Sequence, residues 1–377
     1  MTTIDRYLVW QFLRVFLVTF VSLLGIYVMA DSVSHRGEFV QMGSQSGSLW
    51  LSLINYYTAR VPLFFELTGR IITLLATVFT IAWMQRNNEM TALMAAGISR
   101  WRIVMPLVIV GVIVSLIAVA NREIGVPSVR SMLCANAKEL SSQRHDQLTP
   151  RYDNETGIRV YGEAIMPHED AIINPRFRLP FTWSKMGRTL NAERAEFQEA
   201  QQGRPAGYLF HGVTNKPLLR EIPSFSREGQ PIIFSPFDQD WLAEDECFVV
   251  SNLRLEQLRR GRQWQQYSST GQLIAGLHNR SVDFGSDVRV LVHMRFVQPI
   301  LDIVLLFLGL PFVVSAQRSS VFMATGKTML VVVFFSVVVL SSQAMGIHCV
   351  FSPAFAAWAP VLLLAPMAVL LSSPLQT

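Results

Sequence analysis

The sequence predicts a polytopic membrane protein of mixed α plus β class. Six transmembrane helices stand in a 3+3 arrangement, with a β domain inserted between helices 3 and 4. Three observations carry this prediction. The 377-residue chain is 51% hydrophobic and only 16% charged, against about 25% charged residues in ordinary soluble domains. Its long apolar runs lie before Asn121 and after Val292. Between them, Pro, Gly, Asn and Arg break the chain into short runs of strand length. The boundaries that follow are 1–122, 123–292 and 293–377.

The first span is built on Val15–Ala30, reaching the roughly 20 residues a crossing needs if Phe12 and Leu13 join and Arg14 snorkels. No small-x-small site precedes Asp31, so the run reads as a retained helix rather than a cleaved signal. Residues 31–48 read as a polar loop, and Trp50, Tyr56 and Tyr57 as an interfacial aromatic belt. Val61–Met84 is the second span. It contains Glu66 and Arg70 at i, i+4, a pairing helices favour. Charges at membrane depth are costly and face a bundle interior or a polar cavity, so this is either a self-neutralised pair or, with Arg60, a site for an anionic group. Ile103–Ala120 is the third span, with Pro106 in its first turn.

Five runs in the middle read as strands bounded by turn residues: 157–164, 177–183, 207–213, 231–237 and 247–253. Their number and the domain's size fit a sandwich or jelly roll. Residues 268–280 read as a short helix leading back to the membrane. Spans four to six then cover Phe296–Ala316, Thr328–Gly346 and Phe355–Leu371.

Arg and Lys in the short loops orient the bundle. Arg6, Arg14, Arg86, Arg100, Arg102, Arg318 and Lys327 fall on one side, against Arg36 and Arg60 on the other. Both termini are therefore expected in the cytoplasm and the β domain on the far side. The cytoplasmic stretch Met84–Trp101 is a polar island between two apolar runs. Asn87 or Asn88 can cap a short helix there, Glu89 sits in its first turn where the helix dipole favours an acid, and Gly97 can end it. Met90, Leu93, Met94 and Gly97 share one face. A helix this short is not stable alone in water. It must lie against the membrane, against its own bundle or in another protein's groove, and it reads either as a surface turn joining two spans or as a docking helix for a soluble partner.

Other chemistry is excluded on stated grounds. The net charge of +5 is spread out, with no basic run interleaved with aromatics, so no nucleic-acid site is expected. ATGKT at 324–328 ends like a phosphate-binding loop, but position 321 is Val321 and no strand precedes it. Glu66 and Asp302 lie on different spans, which does not suit a carboxylate pair sharing a proton. His293 and Arg295 read as interfacial anchors. Cys134, Cys247 and Cys349 fit no metal spacing, and sequence does not establish a Cys134–Cys247 disulfide. No cofactor is expected.

Several segments resemble one family. PLFFELTGRI (62–71) leading into NEMTALMAAGISRWRI (88–103), the opening IDRYLVWQFLR (4–14), and HMRFVQP (293–299) followed by LGLPFVVSAQR (308–318) are similar to the lipopolysaccharide-export permeases of the LptF/LptG type. The resemblance implies a multi-pass permease of the bacterial inner membrane with a periplasmic β-jellyroll. It also implies that residues 86–100 form a coupling helix seated on a separate cytoplasmic ABC ATPase dimer. Glu89 would pair with a basic residue of the ATPase, and Met90, Leu93, Met94, Ala96 and Gly97 would make the apolar contact. A paralogous permease would be the partner in the membrane. Lipopolysaccharide would be extracted from the outer leaflet and passed to a periplasmic bridge protein of similar β fold. Arg36, Arg60, Glu66 and Arg70 are the candidate substrate-binding residues. The alternative is a membrane-anchored scaffold whose β domain recruits an envelope partner without transport.

Overall fold

The computed structural model describes residues 3–37, 39–40, 48–134, 146–148, 150–166, 171–180, 188–201, 204–214, 221–227, 230–258, 265–281, 284–314 and 321–372. The chain divides into two compact units, Met1–Ser141 with Gly285–Thr377, and Ser142–Phe284. The β unit therefore lies inside the 123–292 segment.

Among the described residues, six helices of the first unit are long and apolar enough to cross a membrane. Helix α1 runs unbroken over Thr3–Ser34, because its polar flanks contain no breaker. It thus extends beyond Val15–Ala30 at both ends and into the expected loop, of which 41–47 lie outside the described residues. Its buried residues Asp5, Leu8, Phe12 and Phe16 form one stripe in its first half. Helix α2, Leu49–Arg86, starts a dozen residues earlier than apolarity suggests, with Ser48 as N-cap. Of the expected aromatic belt only Trp50 is exposed. Tyr56 is buried against Phe39, and the Tyr57 hydroxyl lies 3.0 Å from Asp31 Oδ2 and 2.8 Å from Ser32 Oγ, tying α2 to α1.

Short helix α3, Glu89–Ala95, precedes α4, Arg100–Ala120, which Ser99 caps. The α4 helix begins before Ile103, so Pro106 stands in its second turn rather than its first. After it, Asn121–Gly125 forms a π-helical turn. In the second half, α5 is Thr270–His278 and carries a full capping box from Ser269 and Gln272. Helix α6 covers Ser286–Val314, α7 Val321–Ile347 and α8 Pro353–Leu371. ATGKT is therefore not a loop: it lies in the opening turns of α7, where backbone N–H groups cannot wrap a phosphate.

Apolar burial drives little helix association inside lipid; close backbone approach and interhelical hydrogen bonds take its place. Gly111 of α4 receives Leu306 of α6, and Gly309 of α6 receives Leu74 of α2, where an added Cβ would lie 2.6 Å from Leu74 Cδ1. Gly309→Val should overpack this contact by about 1–3 kcal/mol, read as a lowered melting temperature of the detergent-solubilised protein. Thr73, Thr77 and Thr80 make a buried stripe on α2. Each hydroxyl donates to a carbonyl one turn back in its own helix, at 2.7, 2.8 and 2.7 Å. Asp302 is held between Ser115 Oγ of α4 and Gln298 Nε2 of its own helix, each at 2.8 Å. Its carboxylate is a structural tie between spans.

The β unit has two antiparallel sheets. Its strands are β1 (Asp146–Gln147), β2 (Arg151–Tyr152), β3 (Arg159–Tyr161), β4 (Ala164–Met166), β5 (Ala171–Ile173), β6 (Arg176–Arg178), β7 (Thr189–Asn191), β8 (Arg194–Gln198), β9 (Gly207–His211), β10 (Phe225–Arg227), β11 (Gln230–Phe234) and β12 (Cys247–Val250). The larger sheet has the order β1-β4-β5-β8-β9-β12-β11-β10 and the smaller β2-β3-β6-β7. All five expected runs contain a strand. Phe177 of the small sheet packs edge-on against Tyr208 and Phe210 of the large one, with centroids 5.5 and 4.7 Å apart. All three are fully buried, and each contributes on the order of 1.5–3 kcal/mol. The Tyr208 hydroxyl is satisfied at 2.6 Å by the Leu253 carbonyl. Cys247 is a free, buried thiol, and burial pushes its pKa upward. The side chain of Cys134 lies outside the described residues.

Candidate functional site

The site is the end of the bundle where α1 begins and α2 turns through α3 into α4. Asn87 closes α2, its N–H donating to the Trp83 and Gln85 carbonyls. Asn88 occupies the N-cap position of α3 but makes no side-chain cap. Its backbone is left-handed, at φ 57°, a conformation asparagine tolerates. The expected asparagine cap is thus replaced by a tight asparagine turn. Glu89 does occupy the first turn. At the other end Gly97, at φ 85°, allows a Schellman closure. Its N–H reaches the Met94 carbonyl at 3.0 Å and the Ile98 N–H the Leu93 carbonyl at 3.1 Å.

The apolar face of α3 points home. Met90 is 1% exposed, in one core with Leu8, Phe12 and Ile103, and Leu93, Met94 and Ile98 pack on that core. This corrects the expectation that Met90 offers a surface contact. What α3 exposes is a strip of small residues: Thr91, Ala92, Ala95, Ala96 and Gly97. Of the residues singled out in the sequence, Glu89, Ala96 and Gly97 stand at the surface or its margin.

Neighbouring helices hold α3 in place. The Tyr7 hydroxyl of α1 donates to the Glu89 carboxylate, 3.1 Å from Oε2 and 3.3 Å from Oε1. Arg102 of α4 pairs with the buried Asp5 of α1 at 3.2 Å. Gln85 Nε2 donates to the Val313 carbonyl at the end of α6, at 2.8 Å, and lies 3.7 Å from Met90 Sδ. Trp101 stacks on Phe307 of α6. A force applied to α3 therefore meets α1 directly at Tyr7, and reaches α6 through Gln85 of α2 and Trp101 of α4. Tyr7, Asp5, Gln85 and Arg102 were not singled out from sequence, because each partner is remote along the chain.

The four candidate substrate residues do not converge. Arg36 is exposed beyond the end of α1. The Arg60 guanidinium lies 3.5 Å over the Tyr56 ring, a cation–π contact. Glu66 is not paired with Arg70. Its Oε1 accepts from Nε and Nη2 of Arg122, in the π-helical turn after α4. A helix partner one turn away loses here to an arginine 56 positions on that approaches from outside α2. Arg295, only 9% exposed, feels the charges of Arg122, Glu123 and Glu66. It is therefore a buried charge near the partly buried Glu66–Arg122 pair and Glu123, not an interfacial anchor. Asn121 Nδ2 adds a bond to the Pro62 carbonyl at 2.8 Å. Asp302 and Glu66 have separate partners and form no shared-proton pair. No group of metal-binding side chains occurs among the described residues.

One family model, described as lipopolysaccharide export system permease LptF/LptG, matches residues 6–373. No curated protein matches the chain.

Proposed function

Because the chain belongs to the LptF/LptG family of lipopolysaccharide export permeases, we propose that it is moved from outside by a separate cytoplasmic ATPase dimer, with α3 as the point where force enters. The membership makes it a multi-pass membrane transport protein rather than an enzyme. The observation that carries the coupling proposal is the construction of α3. A seven-residue helix is too short to hold itself, yet it is closed by a Schellman motif and rooted in the bundle core by Met90. Its exposed face is a strip of small residues, with Glu89 at the margin. Such a strip allows close backbone approach, and Glu89 supplies the charge for a basic residue of the ATPase. Ala92 and Ala95 join Ala96 and Gly97 in the proposed contact, while Leu93 and Met94 support it from behind.

The family supports the following cargo path. The permease works beside a paralogous subunit, takes lipopolysaccharide from the outer leaflet of the inner membrane, and hands it to a periplasmic bridge through the β domain. Helix α1 buries side chains only in its first half, leaving a long apolar face for lipid or for that second subunit. Arg36, Arg60 and Arg70 remain proposed contacts for anionic groups of the lipid, while Glu66 is committed to Arg122.

The test is co-purification in detergent, followed by ATP-dependent lipopolysaccharide release from proteoliposomes. An ATPase that accompanies the chain and drives release supports the proposal. A chain that carries no ATPase would favour the scaffold reading. The inferred orientation has its own check. Cys349 is exposed between α7 and α8, on the side opposite both termini. In a C134S/C247S background a membrane-impermeant maleimide should label it in intact spheroplasts. Labelling only after lysis would reverse the topology.

A further inference from the structure

The small sheet of the β unit has an outward face that its inner packing does not explain. Val160, Phe177 and Leu190 point inward and are 0, 0 and 3% exposed. By alternation their neighbours point out. Arg159 stands directly opposite Arg178, Tyr161 opposite Arg176, and Arg178 opposite Thr189. Side chains so paired lie about 4.5–5.5 Å apart at Cβ, and like charges there repel. Arg176 and Arg178 nevertheless have no acidic partner among the described residues. Among the described residues, Arg159 reaches a neutral atom, the Tyr161 hydroxyl, at 3.2 Å. That contact uses one lone pair of the Tyr161 oxygen, and its hydroxyl proton remains to donate. Arg176, Arg178, Tyr161, Thr189, Gly162 and Glu163 line one depression of about 500 Å³. The Glu163 carboxylate is engaged by Asn174 Nδ2 at 2.6 Å and pairs with neither arginine.

We propose that this depression binds a phosphate monoester carried on a saccharide. Two guanidinium groups without an acidic partner among the described residues match a phosphate dianion in charge, and their planar forks match its oxygens. Two hydroxyl donors complete the set. A bare phosphate would fill only a small part of the depression, whose volume is that of a small-molecule site, so a sugar ring is the fitting companion. The face lies outside the apolar interior of the sandwich, so this site reads a polar headgroup and not acyl chains. It stands apart from the coupling helix, and its test needs no ATPase.

The experiment titrates the full-length protein, in an uncharged detergent at low salt, with three probes. They are deacylated lipopolysaccharide oligosaccharide bearing its phosphates, the same oligosaccharide after phosphatase treatment, and inorganic phosphate. The phosphorylated oligosaccharide should bind at least tenfold more tightly than the dephosphorylated one. R176Q/R178Q should lose at least tenfold while its circular dichroism is unchanged, since both side chains are exposed. Thr189→Val should lose less than the double variant. Equal affinity for inorganic phosphate and the phosphorylated oligosaccharide would assign the site to free phosphate and overturn the saccharide half of the proposal. Unchanged affinity in R176Q/R178Q would overturn it entirely.

Discussion

Glu89→Arg should abolish productive association with the ATPase. The substitution removes the carboxylate at the exposed margin of α3 and puts a like charge where a basic partner residue is expected. Breaking one side of a close charge pair at an interface costs about 2–5 kcal/mol, so the affinity should fall at least about thirtyfold. Retained ATPase would be uncoupled. Tyr7→Phe separates the two things Glu89 does. It deletes the hydroxyl that α1 gives to Glu89 and keeps the charge. Loss of one such bond is worth roughly 0.5–1.5 kcal/mol, so association should weaken by less than about tenfold. Measured side by side by co-purification and ATP-driven release, a large effect of Glu89→Arg and a small one of Tyr7→Phe support the coupling assignment. Full association in Glu89→Arg would remove it.

Arg122→Met should be the most destabilising single change in the membrane unit. Arg122 and Glu66 are 14 and 16% exposed, and Oε2 of Glu66 has no hydrogen-bond partner among the described residues. Removing the arginine leaves a buried carboxylate without its donor, which costs about 3–5 kcal/mol. For a unit of this size that lowers the melting temperature by roughly 6–20 °C. The double variant Glu66→Leu/Arg122→Met removes both charges and leaves Glu123 with Arg295. It should recover most of the loss, because apolar pairs commonly replace buried ion pairs without penalty. A double variant as unstable as the single one would show that the guanidinium matters for packing or for Arg295, not for Glu66.

Composition and periodicity were sufficient for the fold class, since the six spans and the strand-length runs are long-range statistical features. Boundaries failed where polar residues continue a helix, as at Ser48–Val61 and Thr3–Arg14, because helical hydrogen bonding does not require apolar side chains. The candidate site was half legible. Glu89 and Gly97 announce a helix start and stop by residue type. The face of α3 stayed open in the sequence, since i, i+3, i+4 spacing shows that Met90, Leu93 and Met94 share a side but not whether that side meets the chain's own core or a partner. Ion pairing was least legible. Glu66 and Arg70 satisfy the local rule, and only the three-dimensional approach of Arg122 overrides it.

The threonine stripe on α2 bears on how the bundle could move. Hydroxyls spent on their own helix leave that face chemically close to valine. Between the polar ties at its two ends, the stripe of α2 holds its neighbours by shape alone. Rotation or sliding of α2 against them would trade one set of van der Waals contacts for another, with no hydrogen bond of the stripe broken on the way. The friction of such a stroke sits at the helix ends, at Gln85 and Val313 on one side and at Tyr57, Asp31 and the Glu66–Arg122 pair toward the other. Those ends, rather than the middle of the membrane, are where polar contacts would have to break for α2 to turn.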